Sequence, residues 1–284
     1  MQLADQPRVR QWQLLLLLPA GFLLVLFIVS LGAIANLSVN GPQGLTLEHY
    51  ARFLSTPVYA YVLYKTVRTA TAVTFVTLIL AYPLSYLMSC VGRRTARVLT
   101  IAVVLPFFTS VMVRTFAWIV ILGRRGFVNE YLGRLGVIDV PLSLLYNPSA
   151  VLLGMTYVML PYMILTLHSV MRGIDRNLLR AAQNLGAGSV ETFWRVVLPL
   201  TLPGIMSGSL LVFLLSLGFF ITPALMGGPA DLLVATVVQR EIELTMNWGF
   251  GCAMAMTLLA ITLLGFVLYY RLAGFGRLLS AEER

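Results

Sequence analysis

The chain has 284 residues, 59% of them hydrophobic and only 11% charged, with a mean hydropathy of +0.88. Soluble domains carry about 25% charged residues, so a soluble domain of ordinary composition is excluded. The formal net charge of +9 would suggest nucleic acid in a soluble protein; here it reads as orientation, because cytoplasmic loops of membrane proteins collect Lys and Arg.

Apolar runs of about 20 residues can cross a hydrocarbon core of about 30 Å. Six are read, at roughly 13–35, 64–90, 98–122, 148–171, 202–226 and 248–270. The predicted fold class is an all-α membrane protein with six transmembrane helices in one domain, 1–284. With the N-terminus inside, the inner segments hold 12 arginines and the outer loops 6 Lys and Arg. The inverted topology reverses that ratio, so both termini are expected in the cytoplasm.

Arg8 and Arg10, followed by Leu14–Leu18 and then Ala33-Ile34-Ala35, resemble a secretory signal. The apolar stretch exceeds the usual 7–15-residue signal core, so an uncleaved first helix is expected. Cleavage would leave five spans. The first outer loop, 36–63, is punctuated by Asn40-Gly41-Pro42 and Gly44. Thr46–Leu54 reads as a short amphipathic helix at the interface, with Thr46 as its N-cap. Lys65 is the only lysine, on the outer side, and Arg68 lies inside the second run. Pro83, Pro106, Pro161 and Pro223 interrupt four of the runs, and proline removes a backbone hydrogen bond and kinks a helix. Cys90 and Cys252 fall at or inside apolar segments and read as small apolar fillers, with no spacing for a disulfide framework or metal.

Tyr86, Trp118, Tyr157, Phe219 and Phe220 are candidates for lining a path by cation–π attraction. Bundle packing or an interfacial belt is the commoner role of such rings. Arg114, near the outer end of the third run, is either a gate or a contact for a delivery protein, or an arginine reaching for headgroups. His168 reads as an interface residue. Glu130, Asp139, Asp231, Glu241 and Glu243 read as solvated acids of the outer loops.

The segment 172–203 is polar, helix-forming and set between two apolar runs. The plainest reason for so structured a loop is a partner that docks on it. Asp175 is a suitable N-cap for a helix over Arg176–Leu185. Leu178, Leu179, Ala182 and Leu185 are read as one apolar face. Gly186 closes that helix. Ser189 is read as capping a second helix from Val190, with Phe193, Trp194, Val197 and Leu198 on its bulky side and Pro199 and Pro203 ending or bending it.

These residues carry a resemblance. Arg180-Ala181-Ala182, three residues, Gly186, nine residues, Val196, one residue and Leu198-Pro199 resemble the EAA loop of binding-protein-dependent ABC importer permeases. Arg180 stands where that family often has Glu, and Val196 replaces Ile. Val113–Gly123 with Gly126-Phe127-Val128-Asn129, Ala181–Ala187, and Leu225-Met226-Gly227-Gly228-Pro229 are similar to the spermidine/putrescine-type permeases of the PotB kind. The resemblance implies a type I ABC importer permease fold in the bacterial inner membrane and a non-catalytic subunit. It implies a path shared with a sister permease, two copies of a cytosolic ATPase using ATP and Mg, and a periplasmic binding protein. The chain itself would bind no cofactor and no nucleic acid. Asp175, Leu178, Leu179, Arg180, Ala181, Ala182, Leu185, Gly186, Ala187, Val196, Leu198 and Pro199 would form the ATPase-coupling loop. The implied solute is a polyamine or related organic cation, or else an opine, amino-acid-like or other small solute. An ion-coupled secondary transporter is the distant alternative; it tends to need intramembrane carboxylates, and no Asp or Glu lies deep in any run. A membrane enzyme lacks support, since His49 and His168 are the only histidines and stand far apart.

Overall fold

The computed structural model describes the backbone of residues 6–41 and 44–281, and the side chains of 19–41, 44–175 and 177–271. Pro42 and Arg284 lie outside these residues, as do the side chains of Arg8, Arg10, Arg176 and Arg277. The regular structure of the described residues is helical apart from a hairpin in which β1 (Asn40–Gly41) pairs antiparallel with β2 (Gly44–Leu45). Among the described residues, five helices are long and apolar enough to cross a membrane, at Pro19–Val39, Pro57–Cys90, Pro148–Arg172, Ser189–Leu217 and Trp248–Arg271. A pair of bent helices, Arg93–Phe108 and Val111–Arg134, makes a sixth crossing if it counts as one span.

The chain divides into two compact units. One comprises residues up to Thr56 together with Val238–Thr257. In it α1 (Gln6–Val39) shows exposed Phe22, Leu23, Phe27 and Ile28, as a lipid-facing rod does. Ser38 Oγ shares a hydrogen bond with Tyr50 OH at 2.7 Å. Helix α2 (Glu48–Ser55) buries Phe53, and Arg52 lies 4.7 Å over the ring of Phe250. Its N-cap position is Leu47, not Thr46; the Thr46 hydroxyl still accepts the Glu48 amide at 3.1 Å.

The other unit holds the main core. Three helices pack together: α3 (Pro57–Cys90), α7 (Pro148–Arg172) and α10 (Leu198–Leu217). The buried stripe of α3 is Val62, Thr66, Ala70, Val73, Thr77, Ala81, Ser85 and Met88, spaced by threes and fours as one helical face requires. Most of these side chains are small, so the backbones approach closely. Met155, Met159, Met163, Ile164 and Leu167 of α7 fill the opposing space, and Ser85 Oγ donates to Ile164 O at 3.2 Å. On α10 the contact face is Thr201, Gly204, Gly208, Val212 and Ser216. A Cβ on Gly204 would sit 3.0 Å from Val170 Cβ, and one on Gly208 2.8 Å from Met163 Sδ.

The third apolar run is not one rod. Helix α4 (Arg93–Val104) passes through a tight 3₁₀ turn, Leu105–Phe108, and ends; α5 (Val111–Leu122) leaves at 96° to it. Pro106 lacks the N–H that would continue α4, and Thr109 is extended. The fifth run also breaks: α10 stops at Leu217, Gly218 to Phe220 are non-helical, and α11 (Ile221–Met226) follows. Pro83 and Pro161, by contrast, lie inside helices that continue past them. The remaining elements are α6 (Phe127–Arg134), α8 (Arg176–Asn184), α9 (Ser189–Thr192), α12 (Val234–Glu243) and α13 (Trp248–Ala281).

The α7–α10 contact yields a prediction. Gly204→Leu forces a side chain against Val170, which is β-branched and stiff, and should cost about 1–3 kcal/mol. Gly218→Ala, where an added Cβ meets nothing within 4 Å, should be near neutral. Thermal unfolding of the two variants in detergent checks the contrast.

Candidate functional site

Helix α7 ends at Arg172 and the chain turns tightly, with Gly173 N donating to Val170 O at 3.0 Å. The Asp175 carboxylate then accepts the Asn177 amide at 2.9 Å and starts α8. At the other end Gly186 has φ +89°. Its N–H reaches Gln183 O at 3.0 Å, and Ala187 N reaches Ala182 O at 3.1 Å. These two bonds are the paired 5→2 and 6→1 closures of a Schellman stop, in which glycine tolerates the left-handed backbone.

The second half of the loop differs from the expected short capped helix. Helix α9 begins at Ser189 itself, after Gly188, and no side chain caps it. It runs through a π-helical turn, Phe193–Val197, straight into α10. Leu198 N donates to Phe193 O, five residues back. The wider turn precedes Pro199, which has no N–H and whose ring crowds the preceding turn. Pro199 and Pro203 therefore do not end the helix; Ser189–Leu217 forms one span. Phe193 locks this rod to α3, edge-on to Tyr82 and Tyr86 at 5.9 Å each. Tyr82 OH also shares a hydrogen bond with Thr201 Oγ1 at 3.0 Å.

The apolar residues of α8 do not share one face. Leu179 is half-buried and, with the exposed Arg180, lines a cavity of about 360 Å³ together with Tyr86, Cys90, Arg172 and Val197. Leu178 and Leu185 turn outward, 48% and 89% exposed, with Ala182 half-buried between them. Val190 and Trp194 are exposed as well, Trp194 by 61%. Ala181 and Pro199 are exposed; Ala187, Val196 and Leu198 are half-buried. The loop thus presents an apolar stripe away from its own protein.

The candidate path residues do not form one site. Trp118 and Tyr157 meet edge-on at 5.6 Å and line an apolar cavity of about 350 Å³ with Val76, Leu80 and Leu152. Arg114 lies one turn before Trp118 on α5, half-buried; its Nε and Nη1 are buried without a hydrogen-bond partner among the described residues. Phe219 packs on the core, while Phe220 stands half-exposed at the α10–α11 break. Tyr86 belongs to the other end of α3, under the loop.

The structure adds a clamp that composition did not mark. Asp231 is no solvated loop acid; it is 7% exposed. One oxygen receives Lys65 Nζ at 2.5 Å and the other accepts Gly228 N at 3.2 Å. Lys65 also donates to Ala230 O at 2.7 Å, and Val234 N donates to Thr66 Oγ1 at 2.9 Å. Gly228 is required here, since a Cβ would lie 2.5 Å from Tyr146 O. The Gly227-Gly228-Pro229 signature was visible in the sequence, but the pairing spans 166 residues and had no local signal. Asn129 makes a second clamp. Its amide donates to Gly123 O and Leu142 O and accepts Leu142 N, binding α6 to the following loop.

Comparison with known proteins decides the family. A model of the binding-protein-dependent transport system inner membrane component matches residues 74–275. The chain belongs to that family. The permease is 37% identical over 226 residues to the spermidine/putrescine transport system permease protein PotB of Salmonella typhimurium, covering 80% of this chain and 78% of that protein. Against the PotB of Escherichia coli strain K12 it is 36% identical over 226 residues, covering 80% and 82%. The fold matches a chain of a bacterial alginate ABC transporter solved in complex with an alginate-bound periplasmic protein. That likeness has a TM-score of 0.72 at 16% identity, over 93% of this chain and 94% of that one. The permease is therefore a multi-pass inner-membrane transport component, and its EAA-type loop is the α8–α9 segment.

The Lys65–Asp231 clamp is testable on this permease. Asp231→Ala leaves the partly buried Lys65 ammonium without its carboxylate and should destabilise by about 2 kcal/mol, whereas the double change Lys65→Met with Asp231→Leu should recover most of the loss. Unfolding midpoints of the two single variants and the double variant measure the coupling.

Proposed function

We propose that the permease moves a small solute inward as the membrane half of an ATP-driven importer. In this reading both termini and the α8–α9 loop face the cytoplasm. A sister permease completes the path, two copies of a cytosolic ATPase consume ATP and Mg, and a periplasmic binding protein delivers the solute. The chain binds no nucleotide of its own. Its single lysine belongs to the Asp231 clamp, so it has none for a phosphate-cradling loop.

One observation carries the reading: the outward apolar stripe of α8, with Leu185 at 89% exposure, on a helix held at both ends by closed caps. Side chains of this kind are each worth about 1.5–3 kcal/mol when covered, and a groove that accepts an amphipathic helix is a recurrent docking mode. The continuous rod from α9 into α10 supports the coupling role, because it carries motion of the loop into the core as a rigid body. Coupling is assigned to Asp175, Leu178, Leu179, Arg180, Ala181, Ala182, Leu185, Gly186, Ala187, Val196, Leu198 and Pro199. Leu185→Asp should lower retention of the ATPase on the purified permease by about tenfold or more, while leaving the helical circular-dichroism spectrum unchanged. Unaltered retention would contradict the docking assignment.

A polyamine or related organic cation is the proposed solute, on the strength of the similar PotB proteins. A second reading is favoured by a specific observation. No Asp or Glu lies deep in any span, and the guanidinium of Arg114 has two buried nitrogens without partners among the described residues. An unpaired buried cation near the path suits a carboxylate-bearing, amino-acid-like or opine solute better than a polycation. Binding of spermidine, putrescine and amino acids to the cognate binding protein, followed by uptake with Arg114→Gln, separates the two. A polyamine importer should tolerate or gain from the change; a carboxylate importer should lose uptake.

A further inference from the structure

The ends of α3 and α7 and the start of α4 enclose a cavity of about 720 Å³ that the transport reading does not use. Arg93, Arg97 and Arg172 line it. No carboxylate is among its lining residues, and none of the three arginines forms an ion pair among the described residues. His168 also lines it, 9% exposed, with a buried Nδ1 that has no hydrogen-bond partner among the described residues. Helix α4 opens at its rim, and the N-cap residue Gly92 offers no side chain to the free amides of the first turn. Three guanidiniums, a buried unsatisfied imidazole and an uncapped helix start all favour one chemistry, a phosphate oxygen.

The surroundings identify the source of that phosphate. The cavity lies where membrane spans end, which is headgroup depth. Met88 and Ile101 add apolar wall. Val98, Ile101 and Leu105 are exposed along one side of α4, at spacings of three and four, and α4 buries no side chain of its own. A charged cup continuous with an exposed apolar strip fits a headgroup joined to an acyl chain; a free anion would leave the strip without purpose. We propose that this cavity holds the phosphodiester headgroup of an anionic glycerophospholipid, with one acyl chain along α4. The site needs only the membrane-spanning fold, and so stands or falls apart from ATPase docking.

The test uses the full chain in nanodiscs of phosphatidylcholine with about one-fifth phosphatidylglycerol, with native mass spectrometry of the lipids that stay bound after release. Phosphatidylglycerol should be retained well above its bulk share. Arg93→Gln with Arg97→Gln should reduce that enrichment by about fivefold per charge. Arg93→Lys with Arg97→Lys, which preserves the positive charge, should keep most of it, and this variant guards against simple misfolding. Equal retention of the two lipids, or enrichment untouched by the Gln variant, overturns the proposal. Displacement of the lipid by millimolar inorganic phosphate would point to a free anion and also overturn it.

Discussion

Close approach of α10 to α7 at Gly204 and Gly208 is the constraint on which the rest of the second unit depends. With no hydrophobic force between helices in lipid, association rests on packing and polar contacts. Two glycines on one face and the small-residue stripe of α3 let three long helices meet at backbone distance. A few hydroxyl bonds fix their register, among them Ser85 to Ile164 O and Tyr82 to Thr201. A loosely packed α10 would flex at Pro203 and absorb any push applied at its end. Packed as it is, α10 is held against both α7 and α3.

The rod that includes α10 begins outside the core. The π turn at Phe193–Val197 accommodates Pro199 without breaking the helix, so the surface loop and the span are mechanically one piece. Phe193 sits at the joint, wedged against Tyr82 and Tyr86. Beyond it α8 folds back, started by Asp175 and stopped by Gly186. Opposite ends of the same unit are held by different means. At the loop that follows α11, the Lys65–Asp231 pair and the Val234 to Thr66 bond fasten the segment to α3, while Gly228 lies close against Tyr146. Exposed ion pairs such as Arg134–Glu130 contribute little by comparison.

What could be seen in the sequence follows the range of the interactions. The all-α membrane class was legible from composition, and the two ends of α8 were legible from Asp175 and Gly186, because capping is local. The 96° break at Pro106 was not, since apolar content continues through it and hydropathy cannot register a turn whose polar groups are protein-satisfied. Proline was an ambiguous guide for a physical reason: Pro83 and Pro161 sit in helices whose neighbours tolerate a missing bond, whereas Pro106 does not. The orientation of α8 was only half visible. Leu178, Ala182 and Leu185 fall within one narrow arc, but Leu179 lies about 100° away and is half-buried against the cavity beneath the loop. Asp231 was misjudged because its partner is distant in sequence.

The exposed stripe of α8 is proposed as a cytoplasmic docking face. The most direct measurement is labelling of a Leu185→Cys variant, with Cys90 changed to Ser, by a membrane-impermeant maleimide. Modification is expected in inside-out vesicles, none in intact spheroplasts, and shielding when the ATPase is bound. Modification from the outer side, or labelling indifferent to the ATPase, would contradict it.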